Sequence, residues 1–394
     1  MFRRVYLDNS ATTPVAPEVL EAMLPYLTEK FGNASSIHFY GQEAKAAVDK
    51  ARHQVAHLLN ARANEIVFTS GGTEANNLAI RGLAQANPAA RHIITSAIEH
   101  SAVLSPCQDL ESQGYAVTYL PVYENGIVRL DDIRTAMRDD TFLITIMTAN
   151  NEIGTLQPVE EIGRFVRELR AEGRKIWFHT DAVQAAGKIN VDVEEIGCDL
   201  LSISAHKIYA PKGIGCLYVR RGVRLHPQNL GGHQERERRG GTEPVPNMVA
   251  FGAAAEMVKS ELETSSATLA GLRDRLESSI CEMIPGTTVN GERESRIPTV
   301  SNISFSSVEG EGLLINLDMQ GIAVSTGAAC SSGTLEPSPI IRAIGGDDER
   351  ARGALRFSVG RFNTAEDVDR LLEVLPKAVD TLRSLAPASR VQHT

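Results

Sequence analysis

The stretch KIWFHTDAVQAAGKINVDVEEIGCDLLSISAHKIYAPKGIGCLYVR, residues 175–220, carries the reading of the fold. Three short apolar runs rich in β-formers stand out in it: Lys175–Thr180, Asp199–Ser204 and Gly213–Arg220. They read as buried strands. Asp181 follows the first run directly, and His206 with Lys207 follows the second. Toward the N-terminus similar runs recur at Ile66–Thr69, His92–Ser96, Ala116–Val122 and Phe142–Thr148. Helical patterns lie between several of them, such as Ser101–Gln113 and Val159–Ala171. This alternation predicts an α/β layer built on a mostly parallel sheet. In open sheets of that kind the ligand crevice lies outside the carboxyl ends of the strands. Thr73, His100, Asn150, Asn151, Asp181, His206 and Lys207 all fall at such ends, which suggests one site.

Beyond Pro246 the pattern changes. Residues 247–284 are rich in helix formers and predict one long helix or two. Thr299–Ser306 and Ala354–Val359 read as strands and Gly312–Gln320 as a helix. A final helix starts near Thr364, with Val368, Leu371, Leu372, Leu375, Val379 and Leu382 at helical spacing. Pro376 inside it predicts a kink or an early end. A large domain is expected over residues 16–258, with 1–15 and 259–394 forming a smaller α+β domain and a frayed tail at 387–394.

The chain has 394 residues and a net charge of −9, the length of about two domains with ample core. Aromatics make up only 5%, so the core must lean on aliphatic residues and alanine. The acidic balance argues against nonspecific nucleic-acid binding, and the mixed run Glu235–Arg239 reads as a solvated or dimer-facing stretch. Cys107, Cys198, Cys216, Cys281 and Cys330 form no Cys-x-x-Cys pair, and an odd count without framework spacing suits a reducing cytosol. The start, Met-Phe-Arg-Arg-Val-Tyr-Leu-Asp, has no apolar run after its arginine pair, so no signal peptide is expected. The best apolar run, Phe142–Ala149, is too short to span a bilayer. A cytoplasmic protein without a membrane segment is the expectation.

Five features could carry chemistry, and most have a plainer alternative. Ser70-Gly71-Gly72-Thr73 joins a strand to a helix whose free N–H groups could bind an anion, or it is an ordinary turn with Thr73 as N-cap. Asp181 could hold a protonated pyridine nitrogen and Lys207 form a Schiff base, or they are a helix-capping aspartate and a solvated lysine. His100 could stack on a planar ring or shuttle protons, or serve structure alone. A metal at His179 and Asp181 is conceivable but lacks the usual helix-borne spacing. Cys330, in the small polar stretch STGAACSSG at 325–333, could be an accessible nucleophile or a small turn residue. The other four cysteines lie in or beside apolar segments, where packing is their expected role.

In order along the chain stand YLDNSATTP at 6–14, FGNASSIH at 31–38, FTSGGTEANNLAI at 68–80 and EH at 99–100. ANNEIG follows at 149–154, HTDAVQAAGK at 179–188 and SAHKIYAPKGIG at 204–215. Then come RGGTEPVP at 239–246, STGAACSSGTLEPS at 325–338 and LRFSVGRF at 355–362. This set resembles the group I cysteine desulfurases, pyridoxal-phosphate enzymes of fold type I in the class V aminotransferase superfamily. Ala205 stands where relatives often have glycine, and Ala329 where many have serine. The chain also runs only a short way past its final helix, whereas some relatives carry a longer tail that helps dock a scaffold.

The resemblance implies that Lys207 holds pyridoxal 5′-phosphate as a Schiff base. Asp181 would pair with the pyridinium nitrogen, Gln184 with the ring oxygen, and His100 would stack on the ring. Gly72, Thr73, Ser204 and His206 would surround the phosphate, joined by Thr242 of a second subunit, which implies a homodimer. Asn151, Asn33 and Arg356 would lie around L-cysteine, with Arg356 gripping its carboxylate as a planar fork. Lys207 and His100 would move protons, and Cys330, in a mobile loop at about 325–338, would take the sulfur as a persulfide and leave L-alanine. The sulfur would pass to an acceptor such as an iron–sulfur scaffold. Rival expectations are a selenocysteine lyase, a sulfur donor for tRNA thiolation or DNA sulfur modification, and a non-enzymatic interaction platform.

Overall fold

The computed structural model describes residues 4–327 and 337–385. In chain order its strands are β1 (Val5–Tyr6), β2 (Ile66–Thr69), β3 (His92–Ser96), β4 (Ala116–Leu120), β5 (Thr141–Thr145) and β6 (Trp177–Asp181). They continue as β7 (Leu200–Ser204), β8 (Gly215–Val219), β9 (Thr287–Val289), β10 (Val300–Phe305), β11 (Ile322–Ala323) and β12 (Ala354–Ser358). Among the described residues, seven strands form the large sheet in the order β2-β8-β7-β6-β5-β3-β4. β4, β3, β5, β6 and β7 run parallel, and β8 is antiparallel to both its neighbours, β7 and β2. The mostly parallel sheet expected from the sequence is therefore present, and its parallel strands direct their carboxyl ends to one edge.

Helices cover the sheet because their apolar residues fall on one stripe. Val159–Ala171 buries Val159, Ile162, Phe165, Val166 and Leu169, while Glu160 and Glu161 sit in the first turn, where the helix dipole favours negative charge. The scarcity of aromatics shows in the packing of Phe39–Leu58 beside Val245–Ser260. Ala44, Ala47 and Ala51 on the first helix and Ala250, Ala254 and Ala255 on the second are buried. Small side chains allow two helix backbones to approach closely.

A second sheet, of order β12-β10-β9, is antiparallel, and β1 pairs in parallel with β11. Val5 and Leu7 share one core with residues between Leu269 and Val379, so the N-terminal strand joins the C-terminal part of the chain. The large core also recruits Ile297, Val300, Ile340, Ile341 and Ile344. The two layers are thus packed against each other.

Three local outcomes differ from, or sharpen, the sequence reading. Residues expected as one helix or two form two, Val245–Ser260 and Leu262–Met283, with a break at Glu261. The last helix runs from Ala365 to Leu385 straight through Pro376, held by buried Leu371, Leu375 and Val379 despite the missing N–H. Glu235 is not solvated as its mixed-charge neighbourhood suggested. It is buried, accepts two 2.7 Å hydrogen bonds from Arg52 and one from the Phe68 amide, and so is paired rather than hydrated. The tail at 387–394 lies outside the described residues.

Candidate active site

At the carboxyl edge of the parallel strands a cavity of about 270 Å³ is bounded on its far side by β12 of the small sheet. Lys207, Asp181, Gln184, His100 and Asn151 line it, as do Gly72, Thr73, Ser204, His206 and Arg356. Several main-sheet strands deliver residues by ending there. β6 ends on Asp181, and β7 ends on Ser204 just before the single helical turn Ala205–Lys207.

Asp181 is buried and hydrogen-bonded at both oxygens. One oxygen accepts from Asn76 Nδ2 at 2.7 Å and the other from the Val183 amide at 2.9 Å. The Lys207 ammonium donates to the carbonyls of Ser10 and Ala11, the latter at 2.7 Å. These carbonyls follow β1, so the N-terminal segment closes the floor of the site. Gln184 donates to the same Ser10 carbonyl at 2.9 Å.

The turn at 70–73 differs from the capping alternative. Gly71, not Thr73, is the N-cap of helix Gly72–Ala86, and no side chain caps it. At φ 158° and ψ −176° Gly71 occupies a region essentially closed to other residues. Thr73 is the second helical residue, exposed at the cavity wall, beside Ser204 and His206. Uncapped helix N–H groups, two hydroxyls and an imidazole make an anion-binding end. His206 is pushed down to about 4 by burial and by the nearby charges of Lys207, Lys212 and Lys188, so its ring is neutral at neutral pH.

His100 caps helix Ser101–Ser112, its Nδ1 accepting from the Ala102 amide at 3.0 Å. That bond leaves Nε2 to carry the proton of the neutral ring. Burial is the largest influence on His100 and holds its pKa below the usual value, with Lys207 acting in the same sense and Asp181 opposing. Its neighbour Glu99 is buried between the Ser96 hydroxyl and the Met147 amide, both at 2.8 Å, and burial pushes its carboxyl up to about 8. A carboxyl raised in the folded state keeps its proton while the unfolded chain loses it near pH 4.5, so stability falls as pH rises between those values. Glu99→Gln is expected to melt at least about 2 °C above the wild type at pH 9, with the gap closing toward pH 5. Thermal denaturation across that range checks it, and parallel pH curves for the two proteins would refute it.

Arg356 on β12 reaches in from the small sheet. Its guanidinium donates to Asp8 at 2.7 Å and to the Asn151 carbonyl at 3.0 Å. Asn150 turns away from the cavity, its side chain fastened to the backbone at Ile98, Glu152 and Ile153. Asp8, Ser10 and Asn76 were given no role by the sequence reading, though all three stand inside its motifs. Three buried atoms of cavity-lining residues, Ser10 Oγ, Asn76 Oδ1 and Arg356 Nε, have no hydrogen-bond partner among the described residues. Buried polar atoms in that state call for a polar occupant.

Two expected site residues lie elsewhere, and a third is outside the described residues. Asn33 is exposed and bonds the Ser35 amide, and Thr242 is exposed; neither lines the cavity of this single chain. Cys330 lies outside the described residues, as does most of its stretch at 325–338. Cys107, Cys198 and Cys216 are buried, and burial pushes each thiol far up. Both His179 ring nitrogens are engaged, by Thr145 and Ser202, which leaves none for a metal beside Asp181.

The cavity thus brings together an anion-binding helix end, a carboxylate, an amine and a flat imidazole. That donor set fits pyridoxal phosphate: a phosphate, a basic ring nitrogen, an aldehyde carbon and a planar ring. The Aminotransferase class-V family matches residues 5–371. The cysteine desulfurase IscS of Methanosarcina thermophila is 53% identical over 386 residues, covering 98% of this chain and 94% of its own. Among solved structures, a NifS-like protein superposes with a TM-score of 0.90 at 38% identity, over 96% of this chain and 100% of that one. SspA, solved in complex with cysteine, gives a TM-score of 0.80 at 38% identity, over 91% of this chain and 100% of its own. Likeness at this identity over the full length, around a cavity with the cofactor's own complementarity, makes the chain a member of the cysteine desulfurases within the class V aminotransferase family.

Proposed function

We propose that this protein converts L-cysteine to L-alanine, retains the sulfur as a persulfide on Cys330 and passes it to an acceptor. The observation that carries the reading is the convergence of Lys207, Asp181, His100 and Arg356 on one cavity. The cofactor of this family is pyridoxal 5′-phosphate, which when bound supplies an electron-withdrawing ring that stabilises negative charge at the substrate Cα. Lys207 would anchor it, Asp181 would hold the proton on the ring nitrogen, and Gln184 would donate to the ring oxygen. Gly72, Thr73, Ser204 and His206 would bind the phosphate, with Thr242 added by a second subunit.

The chain's own groups then divide the work. Arg356 would orient the substrate carboxylate, with Asn151 and Asn33 beside it. Lys207 would take the proton from Cα, and His100 Nε2 would move protons at the substrate. The Cys330 thiolate would attack the substrate sulfur. The S–S bond forms as the Cβ–S bond breaks, and a proton completes the methyl group of alanine. Arg356→Ala is expected to raise KM for L-cysteine about 10- to 100-fold, the loss of a charge-assisted bond to the carboxylate. Arg356→Lys should recover only part of it, because the fork is lost. An unchanged KM in both variants would remove Arg356 from the substrate site.

A homodimer is supported by an exposed apolar stretch beside Asn33. Phe31 is 68% exposed, Ile37 92% and Phe39 73% in the single chain. Apolar surface this concentrated marks an association site. The division into 16–258 and 1–15 with 259–394 is supported by the core that Val5 and Leu7 share with residues 269–379. An iron–sulfur scaffold is the acceptor we propose, with selenocysteine as the competing substrate. A cytoplasmic location suits such a role, and among the described residues no helix is long and apolar enough to cross a membrane. Transfer of labelled sulfur from Cys330 to a purified scaffold tests the acceptor; label that stays on the enzyme would exclude it.

A further inference from the structure

Behind the cofactor site stands a second buried amine that the reaction scheme does not use. Lys188 is only 8% exposed, and its Nζ donates to Gln184 Oε1 at 2.6 Å. The two residues are four apart along a tight turn, in which the amides of Ala185 and Ala186 both bond the Ala182 carbonyl. Gly187, at φ 73°, then turns the chain, and a Cβ there would sit 2.9 Å from Ile208 and from Val258. The turn aims Lys188 inward, and Ser266 fixes it from behind by donating to its carbonyl at 2.6 Å. Lys188 and Lys207 both border a small cavity of about 20 Å³, so the two amines are close neighbours.

The amide of Gln184 can point two ways, and its partners decide between them. An amine offers N–H donors in either protonation state, and the Ser10 carbonyl can only accept. With Oε1 toward Lys188, Nε2 faces Ser10, and both contacts are hydrogen bonds. With the amide reversed, a donor would face a donor and an acceptor would face an acceptor. The Ser10 carbonyl also accepts from the Lys207 ammonium, so the Nε2 end of Gln184 lies beside the amine that takes the cofactor. We propose that Lys188 is a positioning residue, whose bond to Gln184 Oε1 holds the amide so that its N–H donors face the cofactor rather than its oxygen. Burial, with the charges of Lys207 and Arg356, lowers Lys188 to about 7, yet the neutral amine still donates. The orientation therefore survives deprotonation of Lys188.

The inference rests on the reading of Gln184 as a contact of the cofactor's ring oxygen, and the test separates the two. The probe is the visible absorption band of the purified holoenzyme, titrated with pH. Gln184→Ala and Lys188→Met are each expected to move the band's midpoint by about one unit in the same direction. The double variant should move it no further than Gln184→Ala alone, since Lys188 acts through that side chain. A Gln184→Ala midpoint equal to the wild type's overturns the assignment of Gln184 itself. A wild-type midpoint in Lys188→Met, or shifts that add in the double variant, overturns the positioning role. Should Lys188→Met not fold, Lys188→Gln keeps a donor toward Gln184 without the charge. The wild-type midpoint is expected for it, and a midpoint like that of Gln184→Ala overturns the proposal.

Discussion

Lys207→Ala is expected to lose the visible absorption band on dialysis and to release sulfide from L-cysteine at least about 10³-fold more slowly than the wild type. The size of the loss follows from two duties placed on one nitrogen. It anchors the cofactor between the anion-binding end and Asp181, and afterwards it is the base at Cα. Its contacts with the carbonyls of Ser10 and Ala11 hold the amine in the cavity. Lys207→Arg should not rescue the band, because a guanidinium is planar and stays protonated above pH 12. Absorption spectra before and after dialysis, with a sulfide assay, decide the matter. A band that survives in Lys207→Ala would place the cofactor on another amine, with Lys188 as one to examine.

Cys330→Ala should keep the band intact and still lose sulfide release from L-cysteine by on the order of 10³-fold, as expected when the nucleophile of a covalent intermediate is removed. The pairing of an unchanged spectrum with a lost turnover separates chemistry from cofactor binding. The same variant distinguishes the rival substrate. A selenocysteine lyase would retain most of its rate on selenocysteine without this thiol, while a desulfurase loses its rate on cysteine. Full activity of Cys330→Ala on L-cysteine would leave the nucleophile to be found elsewhere. A protein that binds no cofactor and turns over neither substrate would return the dimer to the role of an interaction platform.

Much of the fold was legible because the large sheet is parallel and buried. Its strands are short apolar runs, and the polar residues that end them, Asp181, Ser204 and Lys207, sit where the topology gathers ligands. The reading was weakest where partners are distant in the chain. Nothing local reveals that Asp8 would meet Arg356 across almost the whole sequence, or that Arg52 would bury Glu235. Local composition made Glu235 look solvated, and only the ion pair with Arg52 overrides it. Thr73 resembled an N-cap by residue type, but the cap lies two residues earlier at Gly71, whose backbone no threonine would adopt. Asn33 and Thr242 reflect another limit: both are exposed in one chain, and the place expected for Thr242 is in the site of a second.

The burial of Cys107, Cys198 and Cys216 has a kinetic consequence for a protein that carries reactive sulfur. Sulfane sulfur moves when a thiolate attacks a persulfide, and thiols that are inaccessible and held protonated do not compete. Those three cannot intercept the cargo and divert it into a dead-end disulfide or a second persulfide within the same chain. Among the described cysteines only Cys281 is partly exposed, so competition for the cargo lies between that one thiol and the acceptor that approaches from outside.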